Sequence, residues 1–348
     1  MSCAVDLFCG IGGLTHGLQL AGIDVVAGID IASSCQYAYE QNNQAIFINK
    51  NIVDVTTDEL MALYPENCTK VLVGCAPCQP FSKYTQRYRK DGHRDDKWEL
   101  LYSFSNLAEG VLPEIISMEN VPELIHEKVF RDFAQKLEQL NYFVSFSIVF
   151  CPDYGVPQNR KRLVLLASRL GEIKLIDPLY TEDCYVTVRQ AIGDLLPIED
   201  GECYEYDLMH RACRLSNTNR KRIRQSVPGG SWRDWDSELQ LNCHKKSSGK
   251  SYPSVYGRMS WDAPSPTITT QFYGYGNGRF GHPEQNRALS LREGAILQSF
   301  PRGYVFIENE NQFNKRELGI HIGNAVPVQL GRAIGLSIQN HLNEVGRL

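Results

Sequence analysis

A rhythm in the first half of the chain limits its fold most. Short apolar runs at residues 4–8, 24–29, 70–74, 114–118, 143–150 and 162–167 read as strands. Amphipathic stretches at 13–21, 33–42, 97–109 and 129–140 read as helices. In the first of these, Leu14, Leu18 and Ala21 share one face and Gly22 follows as a C-cap. Strand–helix alternation of this kind argues for an α/β fold with a parallel sheet. Past about residue 177 the rhythm breaks, after which only 188–195 keeps a short helical period. The segments SVPGGSW, KKSSGKSYPS and GYGNGRFGHP read as loops or short strands with turns. Helical character returns at 328–342, with Leu330, Ile334, Ile338 and His341 near one face. The expected organisation is a first domain over residues 1–180, a smaller irregular domain over 181–300, and a return to the first domain over 301–348. A length of 348 residues suits two domains at roughly 150 residues each.

Composition excludes several classes. No apolar run approaches the roughly 18 residues that span a bilayer. The opening MSCAVDLF lacks a basic region and meets Asp6 at once, unlike a signal peptide. Eleven scattered cysteines fit reduced thiols in a cytoplasm better than a disulfide framework. The net charge is −4, which by itself argues against a polyanionic partner. Its distribution argues the other way. Residues 209–260 hold eleven Lys/Arg against three Asp/Glu, a local +8, so the rest of the chain carries −12. Either this is a solvated basic face or it meets nucleic acid.

The chemistry concentrates at the ends of the apolar runs. DLFCGIGGL follows the first run and opens the first helix. Gly10, Gly12 and Gly13 permit close backbone approach, and the helix start offers free N–H groups. Asp30 ends the next run, where an acid typically binds ribose hydroxyls. The spacing is not GxGxxG, so an adenosyl cofactor such as S-adenosylmethionine fits better than a dinucleotide; a plain tight turn is the alternative. GCAPCQPFS follows the run at 70–74. Its CxxC has no second ligand pair, so zinc is disfavoured, and a single nucleophilic thiol held between Pro77 and Pro80 remains. Glu119 ends the run at 114–118, at the same sheet edge. Arg160 and Arg162 alternate into the run at 162–167, so both would face one side.

Together these residues resemble the bacterial cytosine-5 DNA methyltransferases of restriction–modification type. DLFCGIGG is similar to that family's cofactor loop, PCQPFS to its catalytic Pro–Cys loop, ENV to its substrate-acid motif and QNRKR to its paired-arginine motif. RALSLREGAILQSFP and GNAVP are similar to its two closing motifs. Six motifs in the family's order make the match specific. The resemblance implies a Rossmann-like S-adenosylmethionine-dependent methyltransferase fold with a smaller irregular target-recognition domain, which coincides with the basic segment. It implies that Phe8, Gly10, Gly12, Asp30, Ile31, Asn51, Ile52, Pro77, Leu100, Asn324 and Val326 line the cofactor site. Two positions depart from the family: Ile31 where a Trp is usual, and Asn51 where an Asp is common.

The implied reaction is methyl transfer from S-adenosylmethionine to carbon 5 of a cytosine flipped out of duplex DNA. Cys78 would add to carbon 6, Glu119 would hold N3 and the exocyclic amine, and Arg162 or Arg160 would lower the thiol's pKa. The polar segment 83–97 would close as a lid, and no metal is called for. Ser82, Lys83, Arg220, Lys221, Arg222 and Arg224 are the expected DNA contacts, with base contacts from residues 267–280. A monomer in the bacterial cytoplasm or nucleoid is expected, without a membrane, and sharing its site with a restriction endonuclease it does not stably bind. Two alternatives keep the fold: a tRNA methyltransferase, disfavoured because no Cys–Phe–Thr signature follows the catalytic segment, and an inactive DNA-binding relative, disfavoured by the intact Cys78, Glu119, Arg160 and Arg162.

Overall fold

The computed structural model describes residues 2–77, 99–246 and 253–347. In chain order the first part contains β1 (Ser2–Leu7), α1 (Gly13–Leu20), β2 (Asp24–Asp30), α2 (Gln36–Asn42), β3 (Ile46–Asn49), α3 (Thr57–Ala62), β4 (Thr69–Gly74), α4 (Glu99–Val111), β5 (Ile115–Asn120), α5 (Lys128–Gln139) and β6 (Phe143–Phe150). Next come β7 (Gln158–Asn159), β8 (Lys161–Ser168), α6 (Val188–Ile192), α7 (Asn217–Gln225), β9 (Ser265–Pro266), α8 (Leu291–Leu297), α9 (Lys315–Asn324) and α10 (Val328–Glu344). The chain divides into two compact units. The first comprises Met1–Tyr154, Lys161–Leu179 and Val326–Leu348; the second comprises Gly155–Arg160 and Tyr180–Ala325.

In the first unit seven strands form one sheet in the order β3-β2-β1-β4-β5-β8-β6. The β1–β2, β2–β3, β1–β4 and β4–β5 pairs are parallel, and β8 runs antiparallel to both β5 and β6. This is the Rossmann-like α/β methyltransferase architecture that the resemblance implied. The alternation implied a parallel sheet; the antiparallel pairing of β8 with β5 and β6 departs from it, because a short β6–β8 connection can pair only antiparallel strands. Every residue of β1 and of β5 is buried, as expected of central strands covered on both faces. The order reverses between β1 and β4. Open α/β sheets bind ligands outside the carboxyl ends of their strands at such a reversal. β3, the partner of β2, was missed in the sequence because only four residues carry it.

The C-terminal helix α10 returns to lie on α1. A side chain at Gly17 of α1 would overlap the Val328 carbonyl oxygen at 2.4 Å, so the two backbones approach as only glycine permits. The helix that opens at the glycine loop is thereby clamped from behind.

The second unit has little regular structure. Its described strands β7 and β9 are two residues each and pair in parallel. A cluster including Leu215, Ile223, Trp232, Trp235 and Tyr275 forms a core. The expected boundary at residue 301 is corrected here: the chain rejoins the first unit only at Val326. The physical reason is that α8 packs on α9 inside the second unit, whereas α10 packs on α1. Helix α7 also stands where the sequence carries no helical period. Four of its nine residues are Lys or Arg, which hides an apolar stripe reduced to Ile223. Among the described residues, no helix is long and apolar enough to cross a membrane.

Candidate active site

Because β1, β2, β4 and β5 are parallel, their carboxyl ends bring four chain segments to one edge. These are the glycine loop, Asp30, the loop from Cys75 to Pro77, and Glu119 with Asn120. At the first of these, Phe8 takes a left-handed conformation with φ 61°, a strained geometry for a large side chain. The Phe8 N–H donates to the Ile29 carbonyl at 2.8 Å, which ties the loop to the end of β2. Among the described residues, Gly10 (φ 51°) has no heavy atom within 4 Å of the place a Cβ would occupy, so the loop is open there.

Asp30 stands beside that space. Its Oδ2 accepts the Gly10 N–H at 2.9 Å and its Oδ1 accepts the Ala32 N–H at 2.8 Å. Each oxygen keeps a second acceptor direction. Ile31 next to it is 68% exposed, an apolar side chain held out at the sheet edge. Asn51 accepts from the Val53 N–H at 3.3 Å, which caps the turn in which Ile52 lies. Ile52 is 3% exposed and belongs to the main core, so it is not presented at the surface as a cofactor-lining role would suggest. Pro77 is exposed and Leu100 half-buried in the first turn of α4, while Val326 is buried. Asn324, in the second unit, is exposed at the end of α9. An open cradle at glycine, flanked by a carboxylate with acceptor capacity and an exposed aliphatic side chain, suits an adenosine moiety.

Beneath the glycine loop lies a group the sequence reading left unassigned. Asp6 in β1 is fully buried, and burial pushes its carboxyl up to about 7. Its Oδ2 accepts from the Thr15 hydroxyl at 2.7 Å, and the Thr15 oxygen lies 3.1 Å from the Tyr39 hydroxyl. Asp6 Oδ1 has no hydrogen-bond partner among the described residues.

Glu119 is 2% exposed at the carboxyl end of β5. The antiparallel register sets Glu119 opposite Val164, so Arg162, at the start of β8, arrives beside the carboxylate. Arg162 Nε lies 2.8 Å from Glu119 Oε1. This contact is a close ion pair with poor hydrogen-bond alignment: among the described residues Oε1 has no aligned donor. The Cys75 thiol donates to Oε2 at 2.9 Å. Asn120 donates from Nδ2 to the Ala76 carbonyl at 3.0 Å, which anchors the loop one residue before Pro77. Cys75 and Asn120 received no role from sequence. The available signal was their adjacency to Cys78 and Glu119 within the two motifs. Cys78, Ser82, Lys83 and the segment 83–97 lie outside the described residues.

The expected pairing of Arg160 with Arg162 is corrected. β7 ends at Asn159 and β8 begins at Lys161, so Arg160 sits at a strand break and the alternation is lost. Arg160 is 4% exposed within the second unit and donates to the carbonyls of Ile268 at 3.0 Å and Gly323 at 3.3 Å. There it holds the backbone of that unit. Arg222 is likewise corrected as a DNA contact. It is 8% exposed, donates to the Leu239 carbonyl at 2.9 Å and lies over the rings of Trp235 and Tyr256. Helical geometry turns this one arginine of α7 inward, and it packs like a core residue through its stem and guanidinium face. Arg220 pairs with Asp200 at 2.8 Å and is part-exposed, while Lys221 and Arg224 are exposed.

Residues 3–340 match the family model described as C-5 cytosine-specific DNA methylase. The chain is 56% identical over 345 residues to the type II methylase M.HgiDII of Herpetosiphon aurantiacus, covering 98% of this chain and 96% of the relative. It is 29% identical to the type II methyltransferase M.Eco47II of Escherichia coli, covering 99% and 80%. Among solved structures it is similar in fold to Schizosaccharomyces pombe Dnmt2 methyltransferase (S. pombe), with a TM-score of 0.61 at 18% identity over 99% of this chain and all of that one. The Entamoeba histolytica methyltransferase EhMeth gives a TM-score of 0.65 at 16% identity, covering 98% and 99%.

Proposed function

The chain belongs to the C-5 cytosine-specific DNA methylase family and is a DNA cytosine-5 methyltransferase; from that premise we propose that S-adenosylmethionine is its methyl donor and a flipped-out cytosine in duplex DNA its acceptor. When bound, S-adenosylmethionine supplies a methyl group on a positively charged sulfur. Gly10 and Gly12 let the backbone close on it, Asp30 accepts from the ribose hydroxyls, and Ile31 packs on the adenine face. Phe8, Asn51, Pro77, Leu100, Asn324 and Val326 complete the lining, with Ile52 supporting it from the core.

The acceptor carbon is a poor nucleophile until the ring is made electron-rich. Addition of the Cys78 thiolate to carbon 6 does so, dividing one difficult step into two easier ones. Arg162 contributes positive charge at this edge, which favours the thiolate. Carbon 5 then takes the methyl group, a base removes its proton, and the thiol leaves as the double bond returns. The observation that best supports this reading is Glu119. It is buried, fixed by Arg162 and Cys75, and its Oε1 has no aligned donor among the described residues. A cytosine amine placed there would satisfy it, and N3 would share the carboxyl group. Inside a stacked duplex carbon 6 is shielded, so the base must leave the stack.

Within this reading the enzyme works as a monomer in the bacterial cytoplasm or nucleoid. It marks the site cut by a restriction endonuclease, to which it does not stably bind. Ser82, Lys83, Lys221 and Arg224 remain its proposed DNA contacts from sequence, with Arg220 partly committed to Asp200. The test is methyl transfer to duplex DNA by wild type and Cys78→Ser, with 5-fluorocytosine at the target. Wild type should form a covalent adduct and Cys78→Ser should neither form it nor transfer methyl. An active Cys78→Ser enzyme would overturn the nucleophile.

A further inference from the structure

The second unit contains a cavity of about 620 Å³ lined in part by Arg211, Cys213, Arg214, Leu291, Lys315 and Arg316. Two segments, residues 211–214 and 313–316, build most of it, with Gly201 and Leu291 completing the lining. A bridge between Cys203 and Arg211, with the Ala212 N–H donating to the Glu202 carbonyl at 2.9 Å, folds residues 202–212 back on themselves and carries Arg211 and Arg214 to one wall. The other wall is the start of α9, where Lys315 and Arg316 are its first two residues. Four cations therefore line one cavity, and no carboxylate does. Arg211 is already committed: it pairs with Glu310 at 2.6 Å and lies over the Phe313 ring at 4.5 Å. Among the described residues, Lys315 meets the neutral Cys213 thiol and Tyr273 ring. Arg214, Lys315 and Arg316 have no acidic ion-pair partner among the described residues.

Arg214, Lys315 and Arg316 are exposed around the pocket, and like charges gathered on one open concave surface raise the local positive potential and attract an anion. The net charge of −4 means that solubility does not require them there. The cavity is too large for an inorganic ion alone, and Leu291 adds apolar surface to its lining, suited to the sugar beside a phosphate. We propose that this pocket takes a phosphate of the DNA backbone, held by Arg214, Lys315 and Arg316. The proposal rests on the reading of the chain as a DNA methyltransferase and adds a contact separate from helix α7.

The experiment measures duplex affinity across a salt series for the full chain, by fluorescence anisotropy. Wild type is compared with Arg214→Ala/Lys315→Ala, with the milder Lys315→Gln at an exposed helix start, and with Lys128→Ala, a paired cation of the first unit, as control. The double variant should lower the slope of log affinity against log salt by about 0.9 for the lost phosphate. It should weaken target and unrelated duplexes by the same factor. Lys315→Gln should shift the slope in the same direction, and Lys128→Ala should leave it unchanged. An unchanged slope in Lys315→Gln and in a folded double variant overturns the proposal. So does calorimetric binding of free adenosine monophosphate that the variants abolish while the DNA slope stays fixed, since the pocket would then serve a small ligand. In either case, a wild type that still methylates DNA keeps the functional reading intact. A wild type that neither binds nor methylates duplex DNA removes both.

Discussion

In the second unit Arg258 gives its guanidinium hydrogens to the carbonyls of Ser226, His282, Gln285 and Ile223 and to the Asn286 side chain. Arg287 likewise places two nitrogens on the two oxygens of buried Glu293, at 2.8 and 2.7 Å. Burial pushes the Glu293 carboxyl up, but the Arg287 charge and hydrogen bonds outweigh it and hold the group at about 2. The charges at the sheet edge of the first unit are kept differently. Among the described residues Glu119 has an ion pair without an aligned hydrogen bond and Asp6 has an oxygen with no partner, and Asp30 has acceptor directions to spare. A buried charge whose partners are complete fixes a backbone. One whose partners are incomplete remains available to a ligand, at a cost that the fold must bear.

The sharpest way to break this contrast is to remove one charge of each kind. Arg287→Ala should destabilise the protein by about 3–5 kcal/mol, because Glu293 would be left buried and unpaired. Glu119→Gln should leave urea unfolding nearly unchanged yet lower kcat by about 10²- to 10⁴-fold. If Glu119→Gln unfolded the protein as readily as Arg287→Ala, Glu119 would be scaffold as well.

Asp6 offers a pH test. Its folded pKa of about 7 lies above that of an unfolded aspartate, so folding favours the protonated form. The acid is free of penalty below about pH 4, and stability falls as pH rises toward about 7, where the full cost is expressed. A shift of about three pKa units corresponds to about 4 kcal/mol. Relative to wild type, Asp6→Asn should therefore gain stability progressively between about pH 4 and pH 8, read from urea midpoints at each pH. A constant difference across that range would remove the buried-acid account.

Smaller effects sharpen the comparison. Asp30→Ala should weaken S-adenosylmethionine binding by about 1.5–3 kcal/mol, as expected for a lost charged hydrogen bond, with calorimetry as the check. Helix α7 holds both kinds of cation within two residues. Lys221→Ala should lower the salt slope of DNA binding by about 0.9 and leave stability unchanged. Arg222→Ala should lower the melting temperature and leave that slope alone; the reverse pattern would return Arg222 to the DNA surface.

Strand–helix alternation determined the parallel part of the sheet and the placing of Asp30 and Glu119 at strand ends, and the glycines of DLFCGIGGL determined the loop after β1. Those features depend on short-range periodicity and on the rule that parallel strands bring their carboxyl ends to one edge. Motif order carried the family. Tertiary structure alone decided which charges are complete. Arg160 and Arg162 stand two residues apart in sequence, yet a strand break gives one to carbonyls of the second unit and the other to Glu119. Arg222 reads like its neighbours in a basic run, yet the helix turns it onto Trp235. The end of the second unit at Ala325 depends on α8 meeting α9, a contact that no local pattern contains. Partner identity is a long-range property. A side chain's charge is written in the sequence, but whether that charge is already satisfied depends on residues brought to it from far along the chain.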